Sequence, residues 1–355
     1  MSRYQEICGC IHIHSPLKRI ENTLEPIGRE GNRANLDFLI INSHTPKKNS
    51  SRYEELFRKE NYYGKTLVIK GEETDDGKKQ NHLLIIGGSK WYGNREKTAQ
   101  AVLSEIKKED CISFVAHPEG SHELFLLKKE YHWEDWETDG FSGIEIWSML
   151  FDWAKETRIY NLPVRYFGFP GNLQGPNPKT LLAWDTLSMA RKIVGIAGLD
   201  IHALPLFFRP LDVKRSFRYR NIFRVLRNHL LLRNPLNGDV HEDKKKILDA
   251  LRNGNIFFAN DLVADSKGFY FGSEDEDSIM GDTVCADRML IVRTPLKARV
   301  RIVHNGHIIS EEETETKRFK PENEGVYRTE VKLGGKPWIF SNHIRVEIER
   351  HTLFD

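Results

Sequence analysis

Ile7-Cys8-Gly9-Cys10-Ile11-His12-Ile13-His14 is the first apolar run of the chain, and it ends on two histidines separated by one residue. An extended strand turns alternate side chains to one face, with Cα atoms about 7 Å apart, so imidazoles in H-x-H order can reach one metal ion. By itself such a pair is as readily a coincidence as a ligand set. Cys8 and Cys10 continue the alternation. On an extended strand, however, Cys8 and His14 would stand roughly 20 Å apart. The cysteines are therefore read as interior packing.

The same texture recurs downstream. Apolar, β-branched runs at residues 36–41, 66–70, 82–86, 112–116, 143–147, 164–167 and 192–197 alternate with helix-compatible stretches such as 95–108 and 178–191. Continuous apolar runs suit strands buried on both faces. Their alternation with helices predicts an α/β barrel or a doubly wound sheet. Position then lifts the histidine pair above chance. His44, Glu72, His117, Asp200 and His202 each follow an apolar run, and Glu145 lies within one. In α/β barrels the active site sits at those C-terminal strand ends. His82 is the exception, because it opens its run. Glu73 is expected to face solvent, since neighbours on a strand point apart.

A length of 355 residues favours two domains. Hydrophobic content of 39%, charged content of 29% and a formal charge of +2 describe an ordinary soluble chain, with no membrane partner expected and nucleic acid not favoured. No signal-peptide core precedes the first strand, and no run is apolar enough to span a bilayer. Four scattered cysteines do not make a disulfide framework. The expectation is a reduced, cytoplasmic protein of undetermined oligomeric state. The rhythm stops near Leu206. Residues 207–233, rich in arginine and aromatics, read as a connector packing between domains, although such a stretch could also grip phosphates. A helix at 242–252 follows, with Gly254 as its C-cap. From Ile256 onward, alternating short runs suggest a small antiparallel sandwich. The expected division is 1–206, 207–258 and 259–355.

Taken in order, His12-Ile13-His14-Ser15, Ser43-His44, Gly71-Glu72-Glu73, Asn81-His82-Leu83-Leu84, Ala116-His117-Pro118 and Gly198-Leu199-Asp200-Ile201-His202 resemble the motifs of the PHP (polymerase and histidinol phosphatase) superfamily. Gly175-Pro176-Asn177-Pro178 with Trp184-Asp185, Ala250-Leu251-Arg252-Asn253-Gly254-Asn255 and Pro337-Trp338-Ile339-Phe340-Ser341-Asn342 are similar to its CehA/McbA-type metallohydrolase branch. The resemblance covers nearly the whole chain, with the specific motifs in the first two hundred residues. It implies a distorted (β/α)7 TIM-like barrel holding two or three divalent ions, followed here by the β-sandwich. By motif, His12, His14, Glu72 and Asp200 would hold one ion. Glu72 would share a second with His82 and His117, and His44 and His202 would belong to a third position. Mixed imidazole and carboxylate ligands suit zinc, manganese or iron.

Two positions depart from the family pattern. After the H-x-H the family has Ser-Asp-Gly; here the stretch reads Pro16-Leu17-Lys18-Arg19-Ile20, with Arg19 at the aspartate's place, and Thr-Asp-His becomes Asn42-Ser43-His44. A cation replacing an anionic ligand weakens a third ion, which predicts a dinuclear centre. Lys18 or Arg19 could instead contact an anionic substrate, or both could be solvated loop charges. The implied chemistry is hydrolysis by a metal-activated water. His202 or Glu145 would shuttle a proton to the leaving group, or Glu145 would orient a ligand. The expected substrate is a phosphate ester, small or nucleotide-like. The alternatives are an amide, ester or carbamate hydrolase and a catalytically quiet metal-binding or sensing module.

Overall fold

The computed structural model describes residues 3–15, 24–46, 55, 59–77, 80–93, 96–124, 127–158, 160–161, 164, 168, 173–201 and 219–348. They form a mixed α/β structure around one large hydrogen-bonded sheet. Its first half runs β1 (Gln5–Ile13), α1 (Leu24–Arg33), β2 (Phe38–His44), β3 (Asn61–Tyr63), β4 (Thr66–Thr74), β5 (Leu83–Ile86), α2 (Ala99–Ile106) and β6 (Ile112–Val115). A separate hairpin of β7 (Glu119–Leu124) and β8 (Leu127–His132) precedes β9 (Gly143–Ser148), α3 (Met149–Lys155), α4 (Pro178–Ala190) and β10 (Val194–Gly198). The second half runs α5 (Tyr219–Ile222), β11 (Leu226–Leu232), α6 (Val240–Asn253), β12 (Ile256–Asn260), β13 (Tyr270–Ser273) and β14 (Thr283–Cys285). It closes with β15 (Leu290–His304), β16 (His307–Phe319), β17 (Gly325–Leu333), β18 (Lys336–Ser341) and β19 (Ile344–Glu347).

The helices begin and end where local chemistry provides caps. Asn177 accepts from Lys179 N ahead of Pro178 in α4, and Asp239 accepts from His241 N and Glu242 N at the start of α6. α6 ends on Gly254 at φ +78°, the left-handed conformation that glycine adopts without strain.

Strand directions decide what converges. β1 lies parallel to β2, β2 to β4, β6 to β9 and β9 to β10, whereas β5 runs antiparallel to both β4 and β6. The start of β5 therefore lies at the same end as the finish of its neighbours, which places His82 beside the others despite opening its strand. The chain after β10 returns to β1: Leu199 N donates to Ile11 O and His14 N to Ile201 O, each at 3.0 Å.

One face of these strands carries Ile7, Ile11, Phe38, Ile40, Leu67, Ile69, Leu84, Ile86 and Phe114, packed with Ile247, Leu248 and Leu251 of α6. The other carries Cys10, Ile13, Leu39, Ile41, Val68, Leu83, Ile85 and Val115 beneath α1 and α2. Burial on both faces is what the continuous apolar runs require. A third cluster, with Phe257, Phe271, Val300, Trp338 and Ile339, forms around the later strands.

One sequence expectation is corrected here. Residues 226–232 are not connector but β11, antiparallel to β1 on one side and β12 on the other. Two flanking partners turn its leucine run into a central strand. β11 therefore joins the same hydrogen-bonded sheet as β1 and β12. The strand expected at 164–167 lies, except for Val164, outside the described residues. Among the described residues no helix is long and apolar enough to cross a membrane.

Candidate metal centre

Strict alternation from Ile7 and Ile11 would turn His12 and His14 toward the face covered by α1 and α2. A bulge reverses their phase. The β1–β2 register shifts between Cys10 and Ile13, and His12 sits at φ +61°. The two imidazoles then share one space, ring centroids 5.1 Å apart. His117 (φ +28°), Asp200 (φ +47°) and Asn81 (φ +51°), which precedes His82, are left-handed as well. Such conformations cost of order 1–3 kcal/mol each in non-glycine residues and gather where a site imposes them.

The carboxylate in the middle is Glu73. It is 1% exposed. Its Oε2 lies 2.9 Å from His44 Nδ1, 3.2 Å from His14 Nε2 and 3.5 Å from His12 Nε2, yet makes no hydrogen bond of sound geometry. Its Oε1 lies 2.7 Å from His82 Nδ1 and 3.2 Å from His117 Nε2. Asp200 Oδ1 completes the first group, 3.1 Å from His14 Nε2 and 3.5 Å from His12 Nε2. Two sets of donors thus have their ligand atoms within 4.8 Å of one another: His12, His14, Glu73 and Asp200, and Glu73, His82 and His117. Ligands on a tetrahedral ion with bonds of ~2.0–2.1 Å stand about 3.3 Å apart. The spacings of 3.1 to 3.5 Å in the first set fit that figure.

Glu72, expected to bridge, points the other way, and Glu73 is buried instead of facing solvent. β4 continues past Lys70 to Thr74, so its alternation carries from Leu67 and Ile69 through Gly71 to Glu73, and from Val68 through Lys70 to Glu72. Glu72 accepts from Thr45 Oγ1 (2.5 Å), Tyr92 N (2.7 Å) and Gly93 N (3.0 Å). Burial raises the Glu72 pKa against those donors. Burial would raise Glu73 too, but His44, His12 and His82 outweigh it and hold that carboxyl well below the usual range. For His12, the burial that would lower its pKa is outweighed by Glu145, Asp200 and Glu73, which leave it well above the usual imidazole value.

No protein family model matches the chain, and no curated protein is similar to it. Among solved structures it is similar to a two-domain protein from Bacteroides vulgatus containing a predicted PHP-like metal-dependent phosphoesterase. That likeness has 13% identity and a TM-score of 0.47 and covers 96% of each chain. An engineered protein is matched at 9% identity and a TM-score of 0.18, over 91% of this chain and 80% of that one.

Glu145 backs the cluster. Its Oε2 accepts from His12 Nδ1 at 2.9 Å and from the His117 backbone N–H at 3.0 Å. Gly198 leaves it room, because a Cβ there would fall 2.1 Å from Glu145 Oε1. Asn42 accepts from His12 N and donates to the Glu72 carbonyl, tying β1, β2 and β4 together. Trp147 and Trp184 pack, with indole N–H groups bonded to Asp152 and to the Ile193 carbonyl. His202, Lys18 and Arg19 lie outside the described residues. The residues missed from sequence are Glu73, Tyr131 and Phe151. Tyr131 lies edge-on to His82 and His117, with centroids 5.6 and 6.2 Å away. For Glu73 the signal was present: counting by twos from Leu67 reaches it. Tyr131 and Phe151 follow no strand-end pattern and carried none.

Proposed function

We propose that the protein is a divalent-metal-dependent hydrolase of phosphate esters. Its scaffold is read as a PHP-type barrel of β1, β2, β4, β5, β6, β9 and β10, with the later strands as an accessory sandwich. The observation that carries this reading is Glu73, a buried carboxylate with one oxygen toward His12, His14 and His44 and the other toward His82 and His117. One ion would be held by His12, His14, Glu73 and Asp200, and a second by Glu73, His82 and His117. His44, the most exposed of the set, and His202 are assigned to an outer third position. Ions bound there would supply a water of lowered pKa and positive charge against the developing oxyanion.

The side chains do the rest. Glu145 accepts a hydrogen bond from His12 Nδ1–H, which leaves Nε2 facing Glu73 and Asp200. Because its Oε2 holds both His12 Nδ1 and the His117 backbone N–H, Glu145 is assigned to orientation, and His202 to proton delivery. The clamp of Thr45, Tyr92 and Gly93 on Glu72 fixes the strand phase that aims Glu73 inward. Arg19 is kept as a contact for the substrate anion.

Elemental analysis of wild type, Glu73→Gln and Glu72→Gln, alongside turnover of generic phosphate-ester and carboxyl-ester substrates, tests this. Glu73→Gln is expected to lose about one metal equivalent or more, while Glu72→Gln retains its metal. Full metal content in Glu73→Gln overturns the bridging role. Turnover of carboxyl esters alone moves the protein to the amide, ester or carbamate class, and metal without turnover makes it a binding module.

A further inference from the structure

A cavity of about 340 Å³ adjoins the cluster, and His117 and Glu145 line both. Phe151 forms the wall next to it, tilted against the His117 ring with centroids 4.6 Å apart. Pro118, Pro176 and Pro178 add apolar surface. Among the described lining residues Lys155 is the one lysine or arginine, beside the imidazoles of His117 and His132, against the carboxylates Glu119, Glu145, Asp152 and Glu156. Asp152 is occupied by Trp147 Nε1 at 2.8 Å and by the backbone N–H groups of Gln174 and Gly175 at 3.0 Å. The start of α4 reaches the cavity too, but Asn177 caps Lys179 N itself. A phosphate is recognised by several cations or free N–H groups. Among the described residues of this cavity a second phosphate would meet four carboxylates and one lysine. Ser148 Oγ is buried here with no hydrogen-bond partner among the described residues, as are His117 Nδ1, His132 Nε2 and Glu145 Oε1, and it offers a neutral contact.

Resting on the hydrolase reading above, we infer that the substrate is a phosphate monoester whose single anionic group meets the histidine–carboxylate cluster, while a compact, uncharged, ring-bearing alcohol lies against Phe151. In the reaction, a water oxygen bonds to phosphorus, the bond from phosphorus to the alcohol oxygen breaks, and the proton released by water passes to that oxygen. Inorganic phosphate and the alcohol leave.

Benzyl and methyl phosphate separate pocket from chemistry, because their alcohols have nearly equal acidity. Metal-loaded wild type is expected to prefer benzyl phosphate in kcat/KM, and Phe151→Ala to reduce the benzyl-to-methyl ratio at least about tenfold. The ratio is taken within one protein, so partial loss of folded material cancels. Benzyl alcohol binding, followed by saturation-transfer NMR, should be present in wild type and lost in Phe151→Ala. If neither ester is turned over but that binding pattern holds, the ester chemistry fails and the pocket assignment stands. Equal use of both esters by both proteins, absence of benzyl alcohol binding, or a preference for a benzyl ester bearing a second phosphate overturns the inference.

Discussion

Glu72 and Glu73 are adjacent, equally buried, and driven in opposite electrostatic directions. Hydroxyl and amide donors, with Lys70 nearby, surround the first, and imidazoles surround the second. The arrangement makes orientation of each imidazole matter, and Glu145 sets that of His12. Glu145→Gln keeps the shape but can no longer accept as a carboxylate, so zinc or manganese affinity should fall about 10–100-fold. Chelator competition measures this, and an unchanged affinity removes the orienting role. At this scale the sequence supplied the residue types and the strand ends they follow. It did not supply phase. His12, His117 and Asp200 take left-handed backbone, and bulges of that kind leave no mark in hydrophobic periodicity. Glu73 needed no bulge, only recognition that β4 runs four residues beyond its apolar part.

At the scale of elements, β11 shows what apolar pattern alone misses. Its leucines were visible, but Arg227, Asn228 and His229 disguised a central strand. Those polar groups are matched inside the fold. Asn228 exchanges hydrogen bonds with both Ala197 N and Ala197 O. His229 Nδ1 lies 2.8 Å from Glu6 of β1, and its Nε2 lies 3.1 Å from Ser266 Oγ and 3.3 Å from Asp261. Serine, histidine and carboxylate in this order look like a hydrolytic triad, but the imidazole is already charged. Burial would lower its pKa, and Asp261 and Glu6 outweigh that and push it up to about 9. A protonated ring cannot act as general base. It is a pH-dependent fastener. Because the folded pKa exceeds the unfolded value of about 6.5, the stabilisation is complete below that value and disappears as pH rises through about 9. Urea midpoints for wild type should therefore fall between pH 6 and 9.5. His229→Gln should flatten that dependence, and an identical slope in the variant rules the fastener out.

Across the whole molecule, the early and late parts of the chain meet at buried polar joints. Asn342, in the Pro337-to-Asn342 stretch singled out from sequence, accepts from Gly195 N at 2.7 Å and donates to Gly195 O at 2.8 Å, locking onto β10. Asp185 of α4 receives both Nε (2.7 Å) and Nη2 (2.8 Å) of Arg328 in β17, and His343 Nε2 approaches at 2.8 Å. Trp184-Asp185 was legible as a motif, but its partner lies 143 residues away and no local pattern announces it. Burial would raise the Asp185 pKa, yet Arg328 and His343 pull it down to about 2. The stability it contributes is thus present above the unfolded value of about 3.8 and is lost as pH falls through about 2. Asp185→Ala leaves the buried Arg328 with Glu330 as its carboxylate partner at 2.7 Å and removes the partner of His343, so it should cost about 3 kcal/mol in urea unfolding. Arg328→Met should cost at least as much, because Glu330 also loses its partner at 2.7 Å, and the double variant should recover only the part that comes from stranding Asp185. A simple sum of the two single effects would show that Asp185 and Arg328 act independently. A cost below about 1 kcal/mol for Asp185→Ala would mean that the early and late parts of the chain do not depend on this joint.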